Sequence, residues 1–299
     1  MKIAITGGTG LVGSTLTKLL KSHGHDIVIL TRGNNDSKDG IEYVQWLVDD
    51  AQPELYLNDV DAFVNLAGVS LNEGRWTDER KAAIYNSRQE ATNEVLRLIR
   101  VLEETPKTLV NASAVGIYPT SLDAEYTEAS DEQAHDFLGK TVKMWEGLAD
   151  QATEEGVRVV KTRFGVIFDQ EGGAFPLIAT PYKYNVGGKL GDGMQWVSWV
   201  HVEDVARALA FCLMNEDVKG VVNVTAPYPV RMKQIGDFIA EALNKPNWLP
   251  VPEAALKLAL GEKSQLVLEG QKVLPTVLSD YDFDFNYPTI TKALQQLLR

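Results

Sequence analysis

The earliest residues equipped for chemistry are Gly7, Gly10 and Gly13, in the run Gly7-Gly8-Thr9-Gly10-Leu11-Val12-Gly13. In a turn of this spacing the first glycine makes the tight bend and the second lets backbone amides approach a pyrophosphate. The third lets a helix pack closely on the preceding strand. Spacing alone is weak evidence. Its weight comes from the apolar run Lys-Ile-Ala-Ile-Thr at 2–6 directly before it and from Leu16, Leu19 and Leu20 at helical spacing directly after. The helix start then turns its partial positive charge toward the phosphates. Gly7, Thr9, Gly10, Leu11, Val12 and Gly13 are therefore the expected dinucleotide contacts.

The next β-rich run, 26–31, ends in Thr31-Arg32 rather than in an acidic residue. A carboxylate there would bind a ribose 2′-hydroxyl and repel a 2′-phosphate, whereas a guanidinium pairs with the phosphate. The expected cofactor is NADP(H), with NAD(H) disfavoured. The corner Asn65-Leu66-Ala67-Gly68 is expected to lie against the adenosine side through Leu66, Ala67 and Gly68. Ala112 and Arg88 complete the cofactor set. Arg75 and Arg88 are both placed to meet a phosphate or an anionic substrate. For the substrate side, Trp76 joins Arg75, and Gln195, Trp196, Ser198 and His201 form a tryptophan–histidine cluster suited to a sugar or planar ring. His201 and Asp204 also read as a structural turn at the start of a helix. Gly187-Gly188-Lys189 is not a phosphate loop of the Walker type, because Leu190 replaces the required hydroxyl residue.

The elements that must position these residues alternate. Strands are expected at 2–6, 26–31, 43–47, 62–66, 108–113 and 157–163, and helices at 11–22, 77–103 and 136–154. Short apolar strands between amphipathic helices imply an α/β fold, a Rossmann doubly wound parallel sheet. The rhythm changes after 168, where glycines crowd. Residues 1–168 are read as the NADP-binding domain, with later segments returning to the sheet. Residues 169–299 are read as a smaller C-terminal substrate lobe that includes a small domain at about 247–296.

Taken together, the motifs resemble the short-chain dehydrogenase/reductase superfamily in its extended or atypical branch. They are Thr6-Gly7-Gly8-Thr9-Gly10-x-x-Gly13, Asn65–Gly68, Ser113–Tyr118 and Ser198-Trp199-Val200-His201-Val202-x-Asp204. More closely, the chain is similar to the bacterial epimerase family of sugar-nucleotide-epimerase-like proteins. That likeness is carried by Arg75-Trp76, Ser87-Arg88, Phe137-Leu138 with Trp145-Glu146, and Gly187-Gly188-x-x-Gly191-Asp192-Gly193-x-Gln195-Trp196. The superfamily implies a Ser-Tyr-Lys catalytic set, with Tyr and Lys one helical turn apart. No tyrosine of this chain has lysine four residues later. Leu138 and Val142 stand at the two positions, and Ala114 stands where the serine belongs. Ser113 and Tyr118 are what remains as catalytic candidates. Lys140 and Lys143 lie off the required helix face and are expected to be solvated.

The chain has 299 residues, a net charge of −12, 44% hydrophobic and 23% charged residues. That balance suits a soluble, cytoplasmic globular protein and argues against nucleic acid, which needs a basic face. A single cysteine cannot build a Cys-based zinc site, and four histidines without H-x-x-x-H spacing argue against a zinc enzyme. No apolar stretch is long enough for a membrane helix. A small-molecule substrate is the expected partner, with a homodimer conceivable by family analogy. Two functions stay open. One is an NADP-dependent oxidoreductase or epimerase-like enzyme acting on a small carbonyl or sugar-derived compound. The other is a non-catalytic NADP-binding sensor, motivated by the missing Tyr-Lys pair.

Overall fold

The computed structural model describes all of residues 1–299. The first βα unit is β1 (Lys2–Thr6) and α1 (Leu11–Ser22), followed by β2 (Asp26–Thr31), β3 (Asp36–Lys38), β4 (Ile41–Gln45) and β5 (Ala62–Asn65). The long helix α2 (Asp78–Val101) leads to β6 (Thr108–Ala114), a short β7 (Glu125–Tyr126), α3 (Phe137–Asp150) and β8 (Arg158–Phe164). One eight-stranded sheet has the order β3-β4-β2-β1-β5-β6-β8, closed at the far edge by β12 (Gly220–Val224). Every pairing in it is parallel except β3 with β4. Strand order runs outward in both directions from the β1–β5 pair, and Gly7–Gly13 and Leu66–Gly68 leave the carboxyl ends of those two strands. Ligands of such sheets bind at this switch point.

Each central strand is buried on both sides, which is why these strands read as continuous apolar runs. Ile3, Ile5, Ile27, Ile29, Val64 and Val110 share one core with α1 and with α5 (Val202–Met214). Ala4, Val28, Leu30, Phe63 and Leu109 share the other with α2. The expected strand at 43–47 sits two residues earlier, at Ile41–Gln45. Asp39 and Gly40 adopt φ 54° and 67°, the left-handed pair of a tight hairpin turn, and so fold the wholly polar β3 back against it. Leu47, at φ 52°, is already outside the strand.

Beyond β8 the chain forms β9 (Val166–Phe168), α4 (Phe175–Lys183), β10 (Trp196–Val197) and β11 (Trp199–His201), then α5 and β12. β13 (Val230–Arg231) and α6 (Met232–Leu243) follow, then α7 (Glu253–Leu260), α8 (Gln265–Leu268), β14 (Lys272–Val273), α9 (Thr276–Asp280) and α10 (Ile290–Leu297). A third core joins α4, α6 and α10 through Ala179, Ile235, Ile239, Leu294 and Leu297, with Trp199 completely buried among them. No helix is long and apolar enough to cross a membrane.

Candidate functional site

The glycine turn is tightly built. Gly7 takes φ +66°, and a Cβ there would lie 2.8 Å from the Leu66 carbonyl oxygen. A Cβ at Gly13 would overlap the Gly7 carbonyl and sit 2.6 Å from Gly8 Cα. Around Gly10, by contrast, only the Gly7 oxygen comes within reach, at 3.3 Å, so this backbone stays open to a close approach. The loops are fixed from below. Thr6 Oγ1 donates to Asn65 Oδ1 (2.7 Å) and accepts from the amides of Leu66 (3.0 Å) and Ala67 (3.1 Å). Asn65 Nδ2 in turn donates to Asn111 Oδ1 at 2.7 Å. No side chain caps α1, and its first turn carries no acidic residue. The first intrahelical bond is Ser14 N to Gly10 O, leaving the amides of Leu11, Val12 and Gly13 for an anion. A nucleotide pyrophosphate fits this cradle.

Two arginines flank it. Arg32, just past β2, is exposed and pairs with no side chain, while Thr31 Oγ1 accepts from Gly33 N at 3.1 Å. Arg88, on α2, donates to the carbonyls of Ile84 (2.9 Å) and Val69 (3.2 Å) and lies over the Trp145 ring, 5.0 Å from its centroid. A Cβ on Gly68 would come 3.1 Å from its Cζ. Burial pushes the Arg88 guanidinium down to about 10, because no carboxylate balances it. Ala112, by contrast, is a core residue of β6, 3% exposed, and offers only its backbone.

Ser113 and Tyr118 are both tied into a buried polar network. Ser113 Oγ donates to Glu146 Oε1 at 2.5 Å, and Glu146 receives Arg163 Nε and Nη2 at 2.8 Å each. Arg163 Nη1 donates to the Tyr118 hydroxyl at 2.8 Å, and that hydroxyl reaches Asn223 Oδ1 at 2.9 Å. Burial holds the Tyr118 phenol above its ordinary value, against the pull of Arg163. Burial also lowers Arg163, but its bonds to Glu146 outweigh this and keep it a cation. All of these residues are buried. The two hydroxyls expected to do chemistry instead satisfy a buried ion pair. Glu146 carries part of the family likeness, but neither it nor Arg163 is a site residue on the sequence alone; a charged residue inside the apolar strand Arg158–Phe164 is the available signal. Val142 is buried, and Lys140 and Lys143 are exposed.

The expected substrate residues are dispersed and mostly occupied. Ser198 Oγ donates to Gln271 O (2.8 Å) and accepts from Val273 N (2.9 Å). His201 caps α5 by accepting from Glu203 N, bonds Gln296 and stacks on Tyr287 with centroids 3.8 Å apart. Gln195 Nε2 donates to two backbone carbonyls, and its Oε1 is buried without a partner. Trp76 is buried against Phe137. Arg75 reaches the Leu258 carbonyl, and Trp196 lies under Arg231, whose Cζ is 3.8 Å from its ring centroid.

One open cleft is lined by none of these residues. Of about 400 Å³, it opens between the start of α3 (Asp136, Phe137), the loop at Gly191–Asp192 and the α7–α8 segment. Leu138, next in the chain to Phe137, packs 3.5 Å from where a Gly116 Cβ would be. The α7–α8 segment carried no residue chosen from the sequence.

Comparison with known proteins accords with this architecture. The NAD dependent epimerase/dehydratase family matches residues 3–225, and a domain of unknown function, DUF1731, matches 251–297. The epimerase family protein YfhF of Bacillus subtilis is 46% identical over 299 residues, covering 100% of this chain and 98% of its own. A crystal structure of human epimerase family protein SDR39U1 (isoform 2) with NADPH superposes with a TM-score of 0.90 at 30% identity, covering 99% of both chains. UDP-glucuronic acid 4-epimerase from Bacillus cereus, at 14% identity, shares the fold with a TM-score of 0.79, covering 99% of this chain and 97% of that one. With its glycine turn, its switch-point loops and a match across most of its length, this chain belongs to the NAD dependent epimerase/dehydratase family.

Proposed function

We propose that this protein binds NADP(H) and is an oxidoreductase or epimerase-like enzyme acting on a small carbonyl or sugar-derived substrate. The observation that carries the reading is the uncapped start of α1 behind a glycine turn, with the unpaired Arg32 beside it. The amides of Leu11, Val12 and Gly13 hold the pyrophosphate, Leu66–Gly68 cover the adenosine side, Arg32 takes the 2′-phosphate, and Arg88 gains the counter-charge it lacks. The NADPH in the SDR39U1 structure supports the same choice of cofactor. Such a cofactor supplies hydride transfer; the chain's part is to bind it, orient it and shield it from water.

Calorimetry with NADPH and NADH tests the assignment. Arg32→Ala removes one charge-assisted contact and should weaken NADPH binding by about 1.5–3 kcal/mol while sparing NADH. Equal losses for both cofactors would remove Arg32 from the site.

One observation favours a second reading. With Leu138 and Val142 at the superfamily's Tyr and Lys positions, and with Ser113 and Tyr118 engaged by the buried ion pair, no hydroxyl of the expected set is free to move a proton. A non-catalytic NADP sensor would look like this. Following NADPH absorbance with a panel of carbonyls and sugar nucleotides separates the two: tight binding with no turnover on any compound selects the sensor.

A further inference from the structure

Arg88 is a half-buried cation with no carboxylate beside it. Both of its hydrogen bonds leave from Nη1, to the carbonyls of Val69 and Ile84. The Nε–Nη2 edge, which clasps a carboxylate side-on, is unused within the chain. Arg163 shows that edge satisfied: its Nε and Nη2 each reach Glu146 at 2.8 Å. The place of Arg88 is firmly built. Thr92 Oγ1 donates to the Arg88 carbonyl at 2.7 Å and accepts from Asn65 Nδ2 at 3.1 Å, so this turn of α2 is tied to the end of β5. Gly68, in the corner that follows β5, makes room for the guanidinium, since a Cβ there would lie 3.1 Å from its Cζ. The facing wall is Trp145 of α3, whose ring lies under the guanidinium. Trp145 is 6% exposed, and its indole N–H has no acceptor. A cation and a buried N–H dipole thus stand together at the switch point, and the chain supplies no anion to either.

We propose that the counter-charge of Arg88 is a carboxylate on the substrate, so that the site takes a small carbonyl compound bearing one carboxylate. This rests on the NADP(H) reading only in placing the cofactor's own phosphates elsewhere, the pyrophosphate on the amides of Leu11, Val12 and Gly13 and the 2′-phosphate on Arg32. Burying a cation without a partner is costly, and a carboxylate that meets it relieves that cost on binding. One guanidinium balances one negative charge. α3 adds no buried cation, its two lysines, Lys140 and Lys143, being exposed. A dianionic phosphate would therefore bring a second charge that nothing here balances.

Saturation-transfer NMR titrations of the full-length protein, with and without NADP⁺, test this with pairs that differ by the carboxylate. The pairs are pyruvate and methyl pyruvate, phenylpyruvate and its methyl ester, and glucuronate and glucose. In at least one pair the acid should bind about tenfold tighter or more. Arg88→Met should bring that ratio to near unity, with the neutral partner's affinity unchanged. Arg88→Lys, which keeps the charge and loses the paired N–H edge, should lower it severalfold and carries the test if Arg88→Met fails to fold. NADPH affinity, measured by calorimetry on the same samples, should change by less than about twofold in either variant. No acid preference in any pair, a preference undiminished by the substitutions, or an NADPH affinity that falls as far as the acid's would each overturn the proposal. Should NADPH fail to bind the parent while the acid preference stands, the cofactor assignment is lost and the Arg88 assignment kept.

Discussion

Arg163 and Glu146 show how much of this molecule's polar chemistry is turned inward. A buried guanidinium and carboxylate are worth little net stability as a pair but cost heavily when either is left alone. Glu146→Gln or Arg163→Met should each destabilise by about 3–5 kcal/mol in urea unfolding, and E146L/R163M should recover most of that loss; additive losses would deny the pairing. Cys212 is the converse case, a group hidden rather than used. Burial pushes its thiol up to about 12 from an ordinary 9.0. The stabilisation from keeping it neutral is complete below pH 9, where both states hold the proton, and is lost as pH rises toward 12 because the unfolded chain ionises first. Cys212 should therefore resist a thiol reagent at pH 8 until the protein unfolds. Cys212→Ala should flatten the alkaline fall in stability, by up to about 1.4 kcal/mol per pH unit. Cys212 stands in the apolar run Ala208-Leu209-Ala210-Phe211-Cys212-Leu213, so its burial is legible in the sequence. The sequence could not disclose that Ser113, Tyr118 and His201 spend their polar atoms on Glu146, Arg163 and Gln296, because those partners lie far along the chain and meet only in the fold.

Elements were legible where period and punctuation agreed. β1, α1, β2 and β5 are apolar runs bounded by glycine or polar turns, and Thr77 caps α2 by accepting from Arg80 N at 3.2 Å, so their existence could be read locally. β3 could not, since Asp36-Ser37-Lys38 has no apolar face and its strand character comes entirely from β4. α4 was hidden too, because Pro176 and Pro181 lie within Phe175–Lys183 and read as breaks. The same local reasoning separates two glycines by the space around them. Gly147 lies in exposed, open surroundings on α3, so Gly147→Ala should stabilise by about 0.5–1 kcal/mol through helix propensity. Gly13 is also helical, but its Cβ would strike backbone atoms of Gly7 and Gly8. Gly13→Ala should therefore displace the turn, lower the thermal midpoint and abolish tight NADPH binding. A Gly13→Ala protein that melts and binds as the parent does would contradict the close helix–turn packing.

At the scale of the molecule, the question is whether the C-terminal segment is a separable bead. Its match to a family of its own at 251–297 suggests a module, but the contacts tie it into the rest of the structure. Glu128 accepts from the amides of Asn223 in β12 and of Thr276 and Val277 in α9. Asp204, 1% exposed, accepts from the amides of Asn286 and Tyr287 at 2.8 Å each. β14 pairs with β7, while Ile290, Ala293, Leu294 and Leu297 complete the core around Trp199 and α6. Removing the segment would uncover that apolar face and the edge of β7, and take both amide donors from buried Asp204 and two of three from Glu128. Calorimetric unfolding of the intact chain should accordingly give one transition whose van't Hoff and calorimetric enthalpies agree. Truncation after Asn247 should yield an aggregating or partly unfolded product rather than a smaller stable domain. Asp204→Asn offers a milder probe in the intact chain. With one carboxylate oxygen replaced by a donor facing a backbone amide, it should cost about 1–3 kcal/mol and lower the single midpoint. Two separated transitions in the parent, or a truncated chain that stays monomeric and folded, would establish the segment as an independent domain.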